Sequence, residues 1–222
     1  MAQALAKKPS AEQTITVSPP NIQAIQVRLV GTAPYMQARF SQKAMKAMMA
    51  KMDGSVKKAS KARVARNFEQ DMKEATHVST EDWPGIPAAS IRAALISACR
   101  LVDFKMTLGK LSLFVQADGL DRVDGSPLIK ITGKIERNDM AVRLPNGSFD
   151  IRIRPMWRKW YAEPRISFDA DQFSAEDVLN LLRRVGMQVG LGEGRPDSRK
   201  STGLGFGTFE VQSIEDKPPK VS

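Results

Sequence analysis

Residues 22–31, IQAIQVRLVG, alternate in character. Gln23, Ile25, Val27 and Leu29 fall on one side, and Ile22, Ala24, Gln26 and Arg28 on the other. The first set is the more apolar, so the period of two predicts a strand with one buried face, ended by Gly31 and Pro34. The period then lengthens. In SQKAMKAMMAKM, residues 41–52, Met45, Met48, Met49 and Met52 recur at helical spacing, while Lys43, Lys46 and Lys51 fall largely elsewhere on the wheel. This predicts a helix whose methionines pack against the domain and which ends at Asp53-Gly54.

A second helix is expected from WPGIPAASIRAALISACR, residues 83–100. Pro87 has no N–H to donate, so it belongs before the helix or in its first turn. Ser90 is the N-cap candidate. Ile91, Leu95, Ala98 and Val102 make one apolar stripe, with Arg92 off it in the first turn. KLSLFVQA, 110–117, reads as a strand. PLIKITGKIE, 127–136, lies between the turn signals Asp124-Gly125 and Asn146-Gly147 and reads as an extended arm or hairpin. Residues 148–169 form a long strand region in which Ile151 and Ile153 alternate with Arg152 and Arg154. SAEDVLNLLRRVGMQVG, 174–190, is a helix capped by Ser174, with Glu176 and Asp177 at its positive end and Val178, Leu181, Leu182 and Val185 as its apolar stripe. FGTFEV, 206–211, is the last strand.

The coarse order is strand, insertion, helix, strand, arm, strand, helix, glycine-rich loop, strand. It predicts an α+β fold: a ferredoxin-like βαββαβ antiparallel sheet carrying a basic helical insertion at 41–80 and a protruding hairpin arm at 118–149. One domain spans 21–212, between a flexible N-terminal arm (1–20) and a C-terminal tail (213–222).

Charge sharpens the picture. The chain of 222 residues has a formal net charge of +10 and a pI near 9.9. From Lys43 to Arg66 there are eight basic residues (Lys43, Lys46, Lys51, Lys57, Lys58, Lys61, Arg63 and Arg66) against one acid, Asp53. Such clustering favours an anionic partner, nucleic acid first. One cysteine, Cys99, permits no intramolecular disulfide, and with one histidine, His77, it cannot build a zinc site of the usual kind. No apolar run approaches the roughly 20 residues needed to span a bilayer. The N-terminus lacks the apolar core of a signal peptide, so the expectation is a cytoplasmic protein.

GLGEGRPDSRKSTGLGFGTF, 190–209, has two glycine groups (Gly190, Gly192, Gly194; then Gly203, Gly205, Gly207) with Arg195, Arg199 and Lys200 between them. Glycines allow close backbone approach, and N–H groups beside Arg and Lys suit phosphates. The glycines follow a helix and precede a strand, which is the reverse of a dinucleotide fold, and there is no Walker A pattern. No cofactor or metal is expected.

IPAASIRAAL resembles the segment that opens the first helix in the RAMP superfamily, the repeat-associated proteins of CRISPR effector complexes. The glycine-rich stretch resembles the loop before that family's last strand. The resemblance implies an RRM-like RNA-binding domain. It further implies a backbone-type subunit that coats a guide RNA or another single strand, stacked head-to-tail with copies of itself and other complex subunits. By position it implies RNA contacts for Ser90, Arg92, Gly203, Gly205 and Gly207. Ala88, Ala89 and Ala93 stand where the family pattern has Gly, Ser and Gly. From the residues themselves, Arg152, Arg154, Trp157, Arg158 and Trp160 mix rings and cations in a way that suits single-strand binding, or else the rings anchor a strand end in the core. Two alternatives stand beside this reading. One is a viral or mobile-element protein using the fold for assembly. The other is an endoribonuclease, for which His77 and Asp53 are the catalytic candidates.

Overall fold

The computed structural model describes residues 17–54, 65–143, 146–198 and 203–221. Residues 1–16 of the predicted arm, and Lys57, Lys58, Lys61, Arg63, Arg199 and Lys200, lie outside them. The first elements are β1 (Ile22–Gln26), β2 (Arg28–Gly31), β3 (Tyr35–Met36), α1 (Gln42–Met52), α2 (Phe68–Glu74), β4 (Gly85–Pro87) and α3 (Ala88–Ala98). There follow α4 (Met106–Ser112), β5 (Leu113–Gln116), β6 (Gly119–Leu120), β7 (Pro127–Thr132), β8 (Ile135–Arg143) and β9 (Phe149–Trp157). The chain continues through β10 (Tyr161–Ala162), β11 (Arg165–Asp169), α5 (Ala175–Arg184) and β12 (Phe209–Gln212). The fold is α+β, and the strands pair antiparallel among the described residues.

The predicted first strand is interrupted at Val27, and the cause lies on its partner. Ile22 faces Asp169 in one half and Leu29 faces Ala162 in the other, so both halves keep a single register. Pro164 falls opposite the break. It accepts from Val27 N–H at 3.3 Å but has no N–H to return. Beside it, Arg28 reaches across to Glu163 at 2.7 Å. Arg28, expected on the polar side, is buried because the segment 213–216 wraps it: its guanidinium also donates to the carbonyls of Asp216 (2.6 Å) and Ile214 (3.2 Å). The start of the C-terminal tail is therefore anchored.

The long ladder continues outward. β12 pairs with β2, β7 with β10, β4 and β6 with β7, and β5 with β11. β7 is thus internal to the sheet, and Leu128 and Ile129 are fully buried. This corrects the arm at 118–149: its first half belongs to the core, and the projecting element is the β8–β9 hairpin. That hairpin is rooted by Ile153, Met156 and Trp157 and exposed at Phe149 and Ile151. β5 is also shorter than read, because residues 110–112 complete α4. β12 begins at Phe209, after a turn at 206–207.

α5 forms as its sequence dictates. Ser174 Oγ accepts from Asp177 N–H while the Asp177 carboxylate accepts from Ser174 N–H, a capping box, and Val178, Leu181 and Leu182 are buried. A π turn, Val185–Val189, extends it. Gly186 in that turn lies against Phe209, where a Cβ would fall 3.1 Å from the Phe209 carbonyl carbon.

α3 starts differently from expectation. Its cap position is Pro87, which ends β4, so Ser90 is the third helical residue and makes no cap. The proline's fixed φ turns strand directly into helix. Ile91, Leu95 and Ala98 are buried, but Val102 sits in a 3₁₀ turn and is exposed. The methionine helix also departs from expectation. α1 is capped by Ser41, yet none of its residues is buried, and Met48, Met49 and Met52 are exposed. Sequence periodicity places the methionines on one face but does not supply a surface to cover it.

Candidate nucleic-acid interface

The start of α3 and the glycine-rich loop, about a hundred residues apart in the chain, are brought together. They form two walls of one cleft of about 830 Å³. Pro87, Ala89, Ser90, Ala93, Ser97 and Arg100 line one wall, and Gly190, Gly192, Glu193, Arg195 and Asp197 the other. Tyr35, Gln37 and His77 form the floor, and Lys110 stands at the edge.

The loop glycines serve the fold first. Gly207 has φ +70°, its N–H donates to Pro34 O at 2.7 Å, and its carbonyl accepts from Leu191 N–H at 3.0 Å. A Cβ there would overlap the Leu191 backbone. Gly192, at φ +77°, lies as close to Tyr35 and the Met36 carbonyl. At Gly192 and Gly207, one from each group, backbone thus packs against backbone where only glycine fits.

Carboxylates pin the loop on both sides. Glu193 accepts from Arg154 Nε at 2.5 Å and lies 3.7 Å from Arg152. Asp197 accepts from Ser97 Oγ at 2.5 Å and from Arg100 at 3.0 and 3.1 Å. The Ser97 hydroxyl, then Arg100, holds the Asp197 carboxyl below the usual range. Arg195 donates to Gly192 O at 3.1 Å.

The floor carries a second constellation. His77 Nδ1 lies 2.8 Å from Asp121 Oδ2, and the Asp121 side chain is fully buried. Asp121 also accepts from Val123 N–H at 2.8 Å and stands 3.1 Å from the buried Arg39 guanidinium. Gln37 fixes the backbone beside it, donating to Gly85 O and accepting from His77 N–H at 3.0 Å. Burial pushes the Tyr35 phenol well up, so it stays protonated.

Not every expected residue faces this cleft. Trp157 and Trp160 are fully buried, and Trp160 donates to Ala33 O at 2.9 Å. They anchor the core and present no face to a base, which removes them from the binding set. Arg92 donates to Leu113 O at 2.8 Å and to Lys110 O, and its guanidinium stacks 5.1 Å from the Phe114 ring centroid. It closes the end of α4. Arg158 is exposed and bound to Glu136 at 2.8 Å. Arg66 ties α2 to β9 through Asp71 and the Ile151 carbonyl. Lys43 and Lys46 are exposed on α1. Asp53 is an exposed residue closing α1, and no cluster of three metal-binding side chains occurs among the described residues. Sequence reading missed Ser97, Arg100, Lys110, Glu193, Asp197 and Asp121, whose partners are set by tertiary contact rather than by local pattern. No helix among the described residues is long and apolar enough to cross a membrane. No protein-family model and no curated protein matches this chain.

Proposed function

We propose that the chain binds RNA or another single strand through the cleft between α3 and the glycine-rich loop, on a ferredoxin-like domain related to the RAMP backbone subunits. The strand pairs support the fold reading. With β1–β2 and β10–β11 each taken as one interrupted strand, the neighbours run β12, β1–β2, β10–β11, β5, with α3 and α5 in the crossovers. With β7 and β4 added beyond β10, this run of neighbours is compatible with the fourth-first-third-second order of a βαββαβ sheet. The observation that carries the functional reading is the convergence of the Ile-Pro helix start and the glycine loop on a single groove edged by Arg100, Lys110 and Arg195. Cations neutralise phosphates, and the small side chains Ala89, Ser90 and Ala93 let a sugar-phosphate chain approach α3 closely. Copies stacked head-to-tail would continue the groove along the strand.

The test is binding of labelled oligouridylate across a salt series. Arg195→Ala is expected to weaken binding and flatten the slope of log affinity against log salt by about 0.7, one phosphate contact on a single strand. An unchanged slope removes Arg195 from the interface. Short RNAs of uniform length copurifying with the protein would identify a guide-bound subunit. Mixed nucleic acid would indicate a general strand binder.

The His77–Asp121 pair favours a second reading, the endoribonuclease. Asp121 orients the ring through Nδ1, which leaves Nε2 as the nitrogen available to act as general base on a ribose hydroxyl in the cleft. His77→Ala would then abolish cleavage of bound RNA with affinity retained. Uncut RNA with the native protein eliminates this reading.

A further inference from the structure

Two carboxylates that line the cleft, Glu193 and Asp197, are already held by the protein's own cations, Arg100 in the cleft and Arg152 and Arg154 of β9 behind Glu193. Arg154 and Arg152 of β9 hold the Glu193 carboxylate. Ser97 of α3 and Arg100 in the 3₁₀ turn that follows it hold the Asp197 carboxylate. A carboxylate and a phosphate present the same pair of acceptor oxygens to an arginine fork. The two carboxylates stand on opposite flanks of one loop and reach to different elements, and both line the cleft. Resting on the reading that this cleft takes a strand, we propose that Arg152–Arg154 and Ser97–Arg100 are two phosphate subsites, each closed in the free protein by a carboxylate that a strand displaces.

The exchange needs no loop opening. Glu193 N–H donates to Met36 O at 2.9 Å and Asp197 N–H to Val189 O at 3.1 Å, so the backbone stays fixed while the carboxylates rotate out. The Glu193 side chain is 23% exposed and that of Asp197 33%, so each has an adjoining solvent face to rotate into. The ligand is a polyanion with regularly spaced phosphates. Such a strand can fill both subsites at once, whereas a lone phosphate fills one and gains little over the resident carboxylate. The subsites therefore favour a strand over a mononucleotide by linkage of two weak sites.

The experiment compares labelled oligouridylate and uridine monophosphate on the native chain, Glu193→Gln, Asp197→Asn and the control Glu215→Gln. The control removes the same charge from an exposed residue of the C-terminal segment. Each cleft variant is expected to bind the oligomer about fivefold tighter than the control, the size of one lost competing ion pair. Thermal melts confirm that each variant is folded. If the native protein binds the oligomer and the cleft variants match the control, the subsites are wrong and the binding cleft stands. If no form binds, both readings fall. If only the cleft variants bind, the carboxylates close the cleft more tightly than expected and the subsites stand. Native protein that binds the monophosphate as tightly as the oligomer would overturn the two-site linkage.

Discussion

Gly207→Ala gives the sharpest test of how the glycine loop is built. Two costs follow from the structure. Alanine at φ +70° costs about 1 kcal/mol in the left-handed region. The new Cβ would also fall 2.7 and 2.8 Å from Leu191 C and N and overlap its oxygen, all backbone atoms with no side-chain freedom to yield. Relief requires the two segments to part. That strains the Leu191 N–H bond to Gly207 O and the Gly207 N–H bond to Pro34 O, each worth about 1 kcal/mol net. The expected loss is about 3 kcal/mol, a drop in Tm of about 6–12 °C for a domain of this size. Gly205→Ala is the matched control: φ is +73°, but nothing lies within 4 Å of its Cβ, so only the conformational cost applies, about 2–4 °C. Thermal unfolding followed by circular dichroism compares them. Equal shifts would refute the backbone-contact account.

Arg92→Ala is expected to lower stability by about 1–2 kcal/mol in urea unfolding, through the lost bonds to Leu113 O and Lys110 O. The salt slope of strand binding is expected to stay unchanged; a flatter slope would return Arg92 to the interface. Asp124, Asp177 and Asp197 have carboxyls held low, chiefly by Ser126, Ser174 and Ser97 respectively. A folded-state value below the unfolded one adds stability that is complete above the ordinary carboxylate range and is lost as pH falls through the folded value. Urea midpoints should therefore hold steady above about pH 5 and fall below about pH 4, less steeply once all three are changed to Asn.

What the sequence revealed follows how local each determinant is. α5 is legible because Ser174, Asp177 and the Val178–Leu182 stripe act within two turns. The start of α3 is legible as a place but not as a cap, since Pro87 itself sets the turn. Trp157 and Trp160 are ambiguous in sequence: rings beside Arg158 suit a base or a core, and their exposure of 0% decides for the core. The break in the first strand could not be seen from residues 22–31, because its cause is Pro164 on the facing strand. Of the cleft, the glycine loop and helix start announced themselves. The Glu193, Asp197 and Asp121 contacts did not, since each joins residues distant in the chain.

The interrupted first strand also bears on how the protein is made. β2 lies between two neighbours and β1 lies beside one, yet their partners are β10–β11 and β12, at the far end of the sequence. At translation rates of about 5–20 residues per second, this strand waits on the order of ten to thirty seconds for its neighbours. Val27 and Leu29, fully enclosed in the finished fold, stay uncovered through that interval. The first strand made is thus enclosed late, and chaperones and neighbouring nascent chains compete for it in the meantime.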